Sequence, residues 1–323
     1  MKKGKAAYLT LLRSVLRVPF SKRERTRIAG DAVFLGEGRT GAAVNTVINS
    51  GLLKEELAFF RSFNSALAEG IVPDTALLSL TLPLGTREAE VKQIMEAFQR
   101  AAERENVAVS GGHTCFSGAV FAPVMTVVIS GCFDGAYGRN EAPRALPGQS
   151  ILLTRFPGDT GAMLLYEGKK EILEKRFSAS FLRPVMENRD ALSVSKEAEI
   201  FRQNHAFMHD VSEGGILGAL WEFSEGSGHG FSVDLTAIPM HQETIEITEM
   251  LHMDPYTLYS CGCMLAAVSD GEKVLQALLD AGVPAVKIGE VREDAKKLLL
   301  HDGEERYLER PVPDPVYELE NFG

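Results

Sequence analysis

Three times in this chain a short apolar, β-branched stretch runs straight into a polar turn built on glycine. The turns are Gly111-Gly112-His113-Thr114, Gly158-Asp159-Thr160-Gly161, and His209-Asp210-Val211-Ser212-Glu213-Gly214-Gly215. Stretches of helical period separate them, so the chain must build sheets and helices together. Glycine lets a backbone approach a ligand closely. The unpaired N–H groups of a following helix N-terminus favour phosphate. None of the three turns completes the P-loop or the dinucleotide fingerprint, and each also reads as an ordinary tight turn.

The remaining pattern predicts a helix over 54–69, with Leu57, Phe60 and Leu67 on one stripe, then a strand over Thr75–Leu82. Thr86 is expected to cap a helix whose buried face is Val91, Ile94, Met95 and Phe98. A short strand at Val107–Val109 should end in the Gly111-Gly112 turn, and Val120–Ile129 is the longest strand signal. The second half predicts strands at 151–154, 206–208, 231–235, 263–268, 287–291 and 297–301. Its helices are expected from about Ala162, near 195–201, and at 215–225, 243–251 and 272–281.

A length of 323 residues suggests two domains. The Gly- and Pro-rich stretch from Gly131 to Gly148 is the expected boundary, giving 1–145 and 146–323. Charge is 34 basic against 44 acidic residues, a net of −10, which speaks against a nucleic-acid surface but leaves room for a basic pocket. The first 27 residues are basic and read as a solvated terminal helix or an arm, not a signal peptide. No apolar run reaches the roughly 20 residues of a membrane span. Four cysteines without zinc spacing suit a reducing, cytoplasmic compartment, and Cys261 and Cys263 read as buried thiols.

The third turn is the most informative. Asp210 or Ser212 can simply cap the next helix. Asp210 and Glu213 can equally hold Mg²⁺ or act on a substrate. The residues themselves leave both readings open. The histidines at 205, 209, 229, 241, 252 and 301 read as structural or exposed, whereas His113 sits inside a candidate site.

At this turn the chain resembles the aminoimidazole ribonucleotide (AIR) synthetase superfamily. The segment His209–Ile216 matches its His-Asp-x-(Ser/Thr)-x-Gly-Gly turn, and Gly111–Thr114 is similar to its Gly-Gly-Asp-Thr. Asn64 matches the first residue of its Asn-Asp pair, and Asp254-Pro255 through Val268 its late strand motif. The overall pattern is most similar to the hydrogenase maturation factor that dehydrates a carbamoyl group. The resemblance implies a two-domain α+β fold and a homodimer joined through the N-terminal sheet, with Val120–Ile129 at or near it. It also implies ATP and Mg²⁺ in a cleft, and attack of an amide or acyl oxygen on the γ-phosphate. On that basis Asp210 and Glu213 are the catalytic candidates, and Asp31 and Asp210 the metal candidates. The nucleotide candidates are Asn64, Gly111, Gly112, His113, Thr114, Gly158, Asp159, Thr160, Gly161, Gly214 and Gly215.

Several family carboxylates are replaced. Gly30-Asp31-Ala32-Val33 is one acid short, Ser65 stands for the aspartate after Asn64, and His113 stands for that of Gly-Gly-Asp-Thr. The chain ends Glu320-Asn321-Phe322-Gly323, without the hydrogenase factor's terminal cysteine. The sequence therefore supports a phosphate-ligand binder, and as its rival a catalytically degenerate dimeric scaffold or regulator. His113 is expected to face the cleft and to make anion binding tighter at low pH.

Overall fold

The computed structural model describes residues 10, 32–35, 39–48, 51, 54–133, 143–187 and 191–319. Asp31 and most of the basic N-terminal stretch lie outside them. Two sheets organise the chain. The first joins β1 (Ala32–Phe34), β2 (Thr40–Ile48), β3 (Ile71–Pro83), β4 (Ala108–Ser117) and β5 (Val124–Phe133), in the order β1-β2-β5-β3-β4. Its β3–β4 pair is parallel and the others antiparallel.

Period-two alternation decides which face of this sheet is covered. On β5, Met125, Val127 and Ile129 are fully buried, and Ser62 of helix α1 (Lys54–Ala68) donates to the Val127 carbonyl at 2.9 Å. Helix α2 (Glu88–Arg104) packs beside α1, with the Phe98 ring edge-on to Phe59 at 5.7 Å. The opposite face is open. Register places Val44, Val128 and Leu77 side by side across β2, β5 and β3, and Val44 is 56% exposed and Leu77 41%.

The second sheet contains β6 (Ser150–Thr154), β7 (Phe207–Val211), β8 (Phe231–Asp234), β9 (Cys263–Val268), β10 (Ala285–Val291), β11 (Lys297–His301) and β12 (Glu304–Tyr307). Their order is β12-β11-β8-β10-β6-β9-β7. Its helices are α3 (Asp159–Arg176), α4 (Ala179–Glu187), α5 (Ser195–Gln203), α6 (Gly215–Ser227), α7 (Gln242–Met250) and α8 (Gly271–Asp280). Helix α6 shares a core with Ile151, Leu153, Leu265 and Ala267. Helices α5 and α8 share another with Leu152, Met264 and Ala266. Both faces of β9 are therefore covered, which is why Cys263–Val268 is continuously apolar. Helices α3, α4 and α7 join the core under the first sheet, so one apolar cluster crosses between the halves.

Most predicted elements are present, and the differences have local causes. Gly111 and Gly112 do not turn the chain but lie inside β4, where a Cβ on Gly112 would stand 1.9 Å from the Leu78 carbonyl oxygen. The glycine there permits close strand approach instead of a bend. The strand expected at Val120–Ile129 runs from Val124 to Phe133, paired along β2 and β3. Strand β7 extends to Val211, so His209 and Asp210 are strand residues. Helix α3 starts at Asp159 rather than Ala162, and α4 carries Pro184 within it, which had hidden the helix from its pattern. Helix α2 starts after Arg87, whose N–H donates to the Glu90 carboxylate at 2.8 Å, while Thr86 bonds the Pro83 carbonyl. Among the described residues no helix is long and apolar enough to cross a membrane.

Candidate functional site

A cavity of about 550 Å³ opens where the end of α2 meets the second half of the chain. Strand β6 delivers Arg155 to it. This residue takes a left-handed φ of 59°, uncommon for a non-glycine residue. Its Nε donates to Glu197 Oε1 at 2.5 Å and its Nη1 to the Ala191 carbonyl at 3.0 Å. Arg104 and Lys196 also line the cavity, with Glu105 and Asp159 as its acids.

The turn after Arg155 is stitched to the segment before β9. Gly158 N–H donates to Ser260 Oγ at 2.8 Å, Thr160 Oγ1 to the Cys261 carbonyl at 2.6 Å, and Gly161 N–H to the Tyr259 carbonyl at 2.8 Å. Asp159, the first residue of α3, accepts from Thr244 Oγ1 at 3.0 Å and pairs with His241 Nδ1 at 2.8 Å. That hydrogen bond raises the His241 pKa above its ordinary value. Cys261 and Cys263 form part of the wall as buried thiols, and burial pushes Cys261 up to about 12.

The sequence candidates divide into three places. Asp159 and Thr160 line the cavity, and Gly158 and Gly161 belong to the same turn. Asn64 is buried behind it, its Nδ2 donating to the Leu192 carbonyl at 2.8 Å and its Oδ1 accepting from Val194 N–H at 3.3 Å. It latches α1 to the chain entering α5. Asp210, Glu213, Gly214 and Gly215 form a second, buried place. Glu213 is paired with Arg61 of α1 at 2.6 Å. Gly214 N–H donates to Asp314 Oδ2 at 2.8 Å, so the chain's own carboxylate occupies the helix N-terminus offered to a phosphate. Burial raises the Asp314 carboxyl to about 7, against the lowering effect of its hydrogen bonds from Gly214 and Val316.

Gly111, Gly112, His113 and Thr114 occupy the third place, along β4. His113 is in register with Ser79 and, through β3 and β5, with Thr126 on the open face of the first sheet. It is exposed there and is not among the residues lining the cavity described above. Asp31 lies outside the described residues. The sequence carries no signal for Arg61, Arg155 or Asp314, and it reads His241 as structural or exposed, whereas in the structure His241 stands at the N-cap of α7 without capping it and lines the cavity.

Residues 147–301 match the family of AIR synthase related proteins, in its C-terminal domain. A putative hydrogenase expression/formation protein of Methanocaldococcus jannaschii is 25% identical over 294 residues, covering 88% of this chain and 84% of the relative. The carbamoyl dehydratase HypE of Cupriavidus necator is 28% identical over 260 residues, covering 74% and 68%. The crystal structure of E. coli HypE, a hydrogenase maturation protein, superposes with a TM-score of 0.73 at 21% identity, covering 86% of this chain and 88% of that one. HypE in complex with ATP superposes with a TM-score of 0.69 at 18% identity, covering 97% of each.

Proposed function

Because the chain belongs to the AIR synthetase superfamily, on the side of its HypE-like members, we propose that it binds an adenine nucleotide in the cavity between its two halves. There it activates an amide or acyl oxygen by phosphoryl transfer. The observation that carries this reading is the meeting of Arg104, Arg155 and Lys196 with the N-terminus of α3 around one cavity. Its volume suits a small-molecule site, for which about 300–1,000 Å³ is usual. Cations and a helix N-terminus are the groups that hold a polyphosphate. Arg155 is already oriented by Glu197 and the Ala191 carbonyl, so its guanidinium is placed before a ligand arrives. In phosphoryl transfer such positioning and charge compensation are the protein's main contribution.

Asp159 and Thr160 are the nucleotide contacts of this reading. Asp210 and Glu213 support the floor behind the cavity. Gly111–Thr114 lie on the open sheet face, which we assign to a homodimer contact, and they reach a nucleotide only across that contact. The division at 145/146 separates a dimerising half from a half that supplies most of the cavity. Among the described residues no three acidic, histidine or cysteine side chains gather to hold a metal, and Asp31, one of the two metal candidates, lies outside them. The positive charge they do offer a phosphate is that of Arg104, Arg155 and Lys196. All four cysteines are free thiols, which suits a reducing cytoplasm.

Isothermal titration with ATP, ADP and AMP tests the reading. ATP and ADP bind at micromolar levels and AMP more weakly, and Lys196→Ala weakens ADP by about tenfold, the loss of one charge-assisted contact. Absence of binding of all three at millimolar concentration overturns it.

A further inference from the structure

His241 occupies a position where a helix normally wants something else. The N-cap of α7 favours Ser, Thr, Asp or Asn, whose oxygen can accept an orphan N–H. A helix N-terminus also disfavours a cationic ring. Here the side chain does not cap. It turns to Asp159, with Nδ1 at 2.8 Å from Oδ2. Thr244, one turn along α7, donates to the other oxygen of the same carboxylate at 3.0 Å. Phe156 lies against the imidazole, ring centroids 3.9 Å apart and planes 27° apart. Asp159 and Phe156 therefore fix the ring, and Thr244 fixes the carboxylate behind it. With Nδ1–H directed at the carboxylate, Nε2 carries the lone pair, and no described protein group hydrogen-bonds it. The ring is 44% exposed and lines both the large cavity and a neighbouring one of about 310 Å³.

A half-buried carboxylate behind an imidazole, its side chain 14% exposed, with the far nitrogen open to a ligand cavity, is the arrangement of a general base: it sets the tautomer and stabilises the imidazolium that forms. We propose that His241, oriented by Asp159, is the general base of this cavity and takes a proton from the acceptor that attacks the nucleotide. The inference rests on the nucleotide reading above and extends it. With a primary amide as acceptor, the amide oxygen forms a bond to the γ-phosphorus and the bridging P–O bond to ADP breaks. ADP leaves with that electron pair. The amide nitrogen gives its proton to Nε2, leaving an O-phosphorylated imidate, and the exposed ring edge passes the proton to solvent. Thr244 and Phe156 are positioning residues.

The charged groups around the ring set the sense of its titration. Asp159 faces it from α3, Glu243 from its own helix, and Glu187 of α4 lines the smaller cavity with it. Arg104, Arg155 and Lys196, with Glu105, line the larger cavity. Proton uptake by His241 shuts the base off, so the rate rises with pH through its pKa.

The test has two arms. In the unmodified protein, NMR titration of the His241 ring gives its pKa with and without saturating ADP. The added negative charge moves it upward, and a pKa that ADP leaves unchanged overturns the proposal. Phosphate release from ATP with acetamide as acceptor is then followed from pH 5.5 to 9. The wild-type rate rises with one inflection at the ADP-bound His241 pKa. His241→Gln lowers the rate about 10²–10⁴-fold and removes the inflection, with ADP affinity within threefold of wild type. Asp159→Asn moves the inflection down. An unchanged rate and profile in His241→Gln, or a wild type that binds ADP and releases no phosphate above the blank, overturns the base while leaving the nucleotide site standing. A wild type that binds no nucleotide overturns the nucleotide reading itself, and the base with it.

Discussion

Arg61 and Glu213 stand 152 residues apart and meet at 2.6 Å, with their side chains only 12% and 4% exposed. Arg61 belongs to the helix layer of the first sheet and Glu213 to the turn that starts α6, so one ion pair ties the halves together. Removing one partner of such a pair leaves the other charge buried without its counter-charge. Arg61→Ala is therefore expected to cost about 3–5 kcal/mol in urea unfolding, and Glu213→Gln, which keeps an acceptor, clearly less. Equal, small losses in both would show the pair to be solvated.

Asp314 makes stability depend on pH in an unusual sense. Its folded pKa, about 7, lies above the value near 4 of an unfolded aspartate, because burial disfavours the charged form. Between these values the folded chain holds the extra proton. The group's contribution is complete below about pH 4 and is lost as pH rises through 7. Thermal melts of wild type should fall between pH 5 and 7.5 more steeply than those of Asp314→Asn. Parallel curves would remove Asp314 as the cause.

The cavity wall depends on Gly262. Its φ is +100°, and a Cβ there would stand 2.0 Å from the Ala191 carbonyl oxygen. Gly262→Ala combines a strained backbone with a clash against main chain, and is expected to destabilise by about 3 kcal/mol or more. A melting temperature within a degree or two of wild type would contradict the close approach.

Thiol chemistry separates the buried cysteines from Cys132. Cys132 is exposed on the first sheet, whereas burial holds the Cys261 and Cys263 thiols well above their ordinary pKa. A thiol-disulfide reagent at pH 8 should reach Cys261 and Cys263 only after unfolding, whereas labelling of Cys132 depends on whether a second copy covers the open face. Mass spectrometry of labelled peptides checks the order.

The open face of the first sheet gives the last prediction. Val44, Val128 and Leu77 form an apolar row across three paired strands. If a second copy covers it, Val44→Lys or Leu77→Lys converts a dimer into a monomer in sedimentation at micromolar concentration, with unchanged helix content. A wild type already monomeric there would refute the contact.

Local order was legible in the sequence where burial repeats with a simple period. The α1 stripe follows from 3.6-residue spacing, the continuous apolar run of β9 from burial on both of its faces, and the start of α6 from the glycine turn before it. The ordered motifs also sufficed to name the superfamily and a two-domain α+β fold. Glycine was less decisive. Gly158 at the N-terminus of α3 does make a turn, while Gly111 and Gly112 continue a strand, since lack of a Cβ permits either a bend or a close approach. Tertiary structure alone decided what each polar residue meets. Glu213 meets Arg61, Gly214 meets Asp314 from 100 residues away, and Asp159 meets His241 from 82. Periodicity records that a side chain is buried. It carries no information about which distant donor or acceptor the packed layers bring to it, and that pairing separates a cap or a latch from a residue facing the cavity.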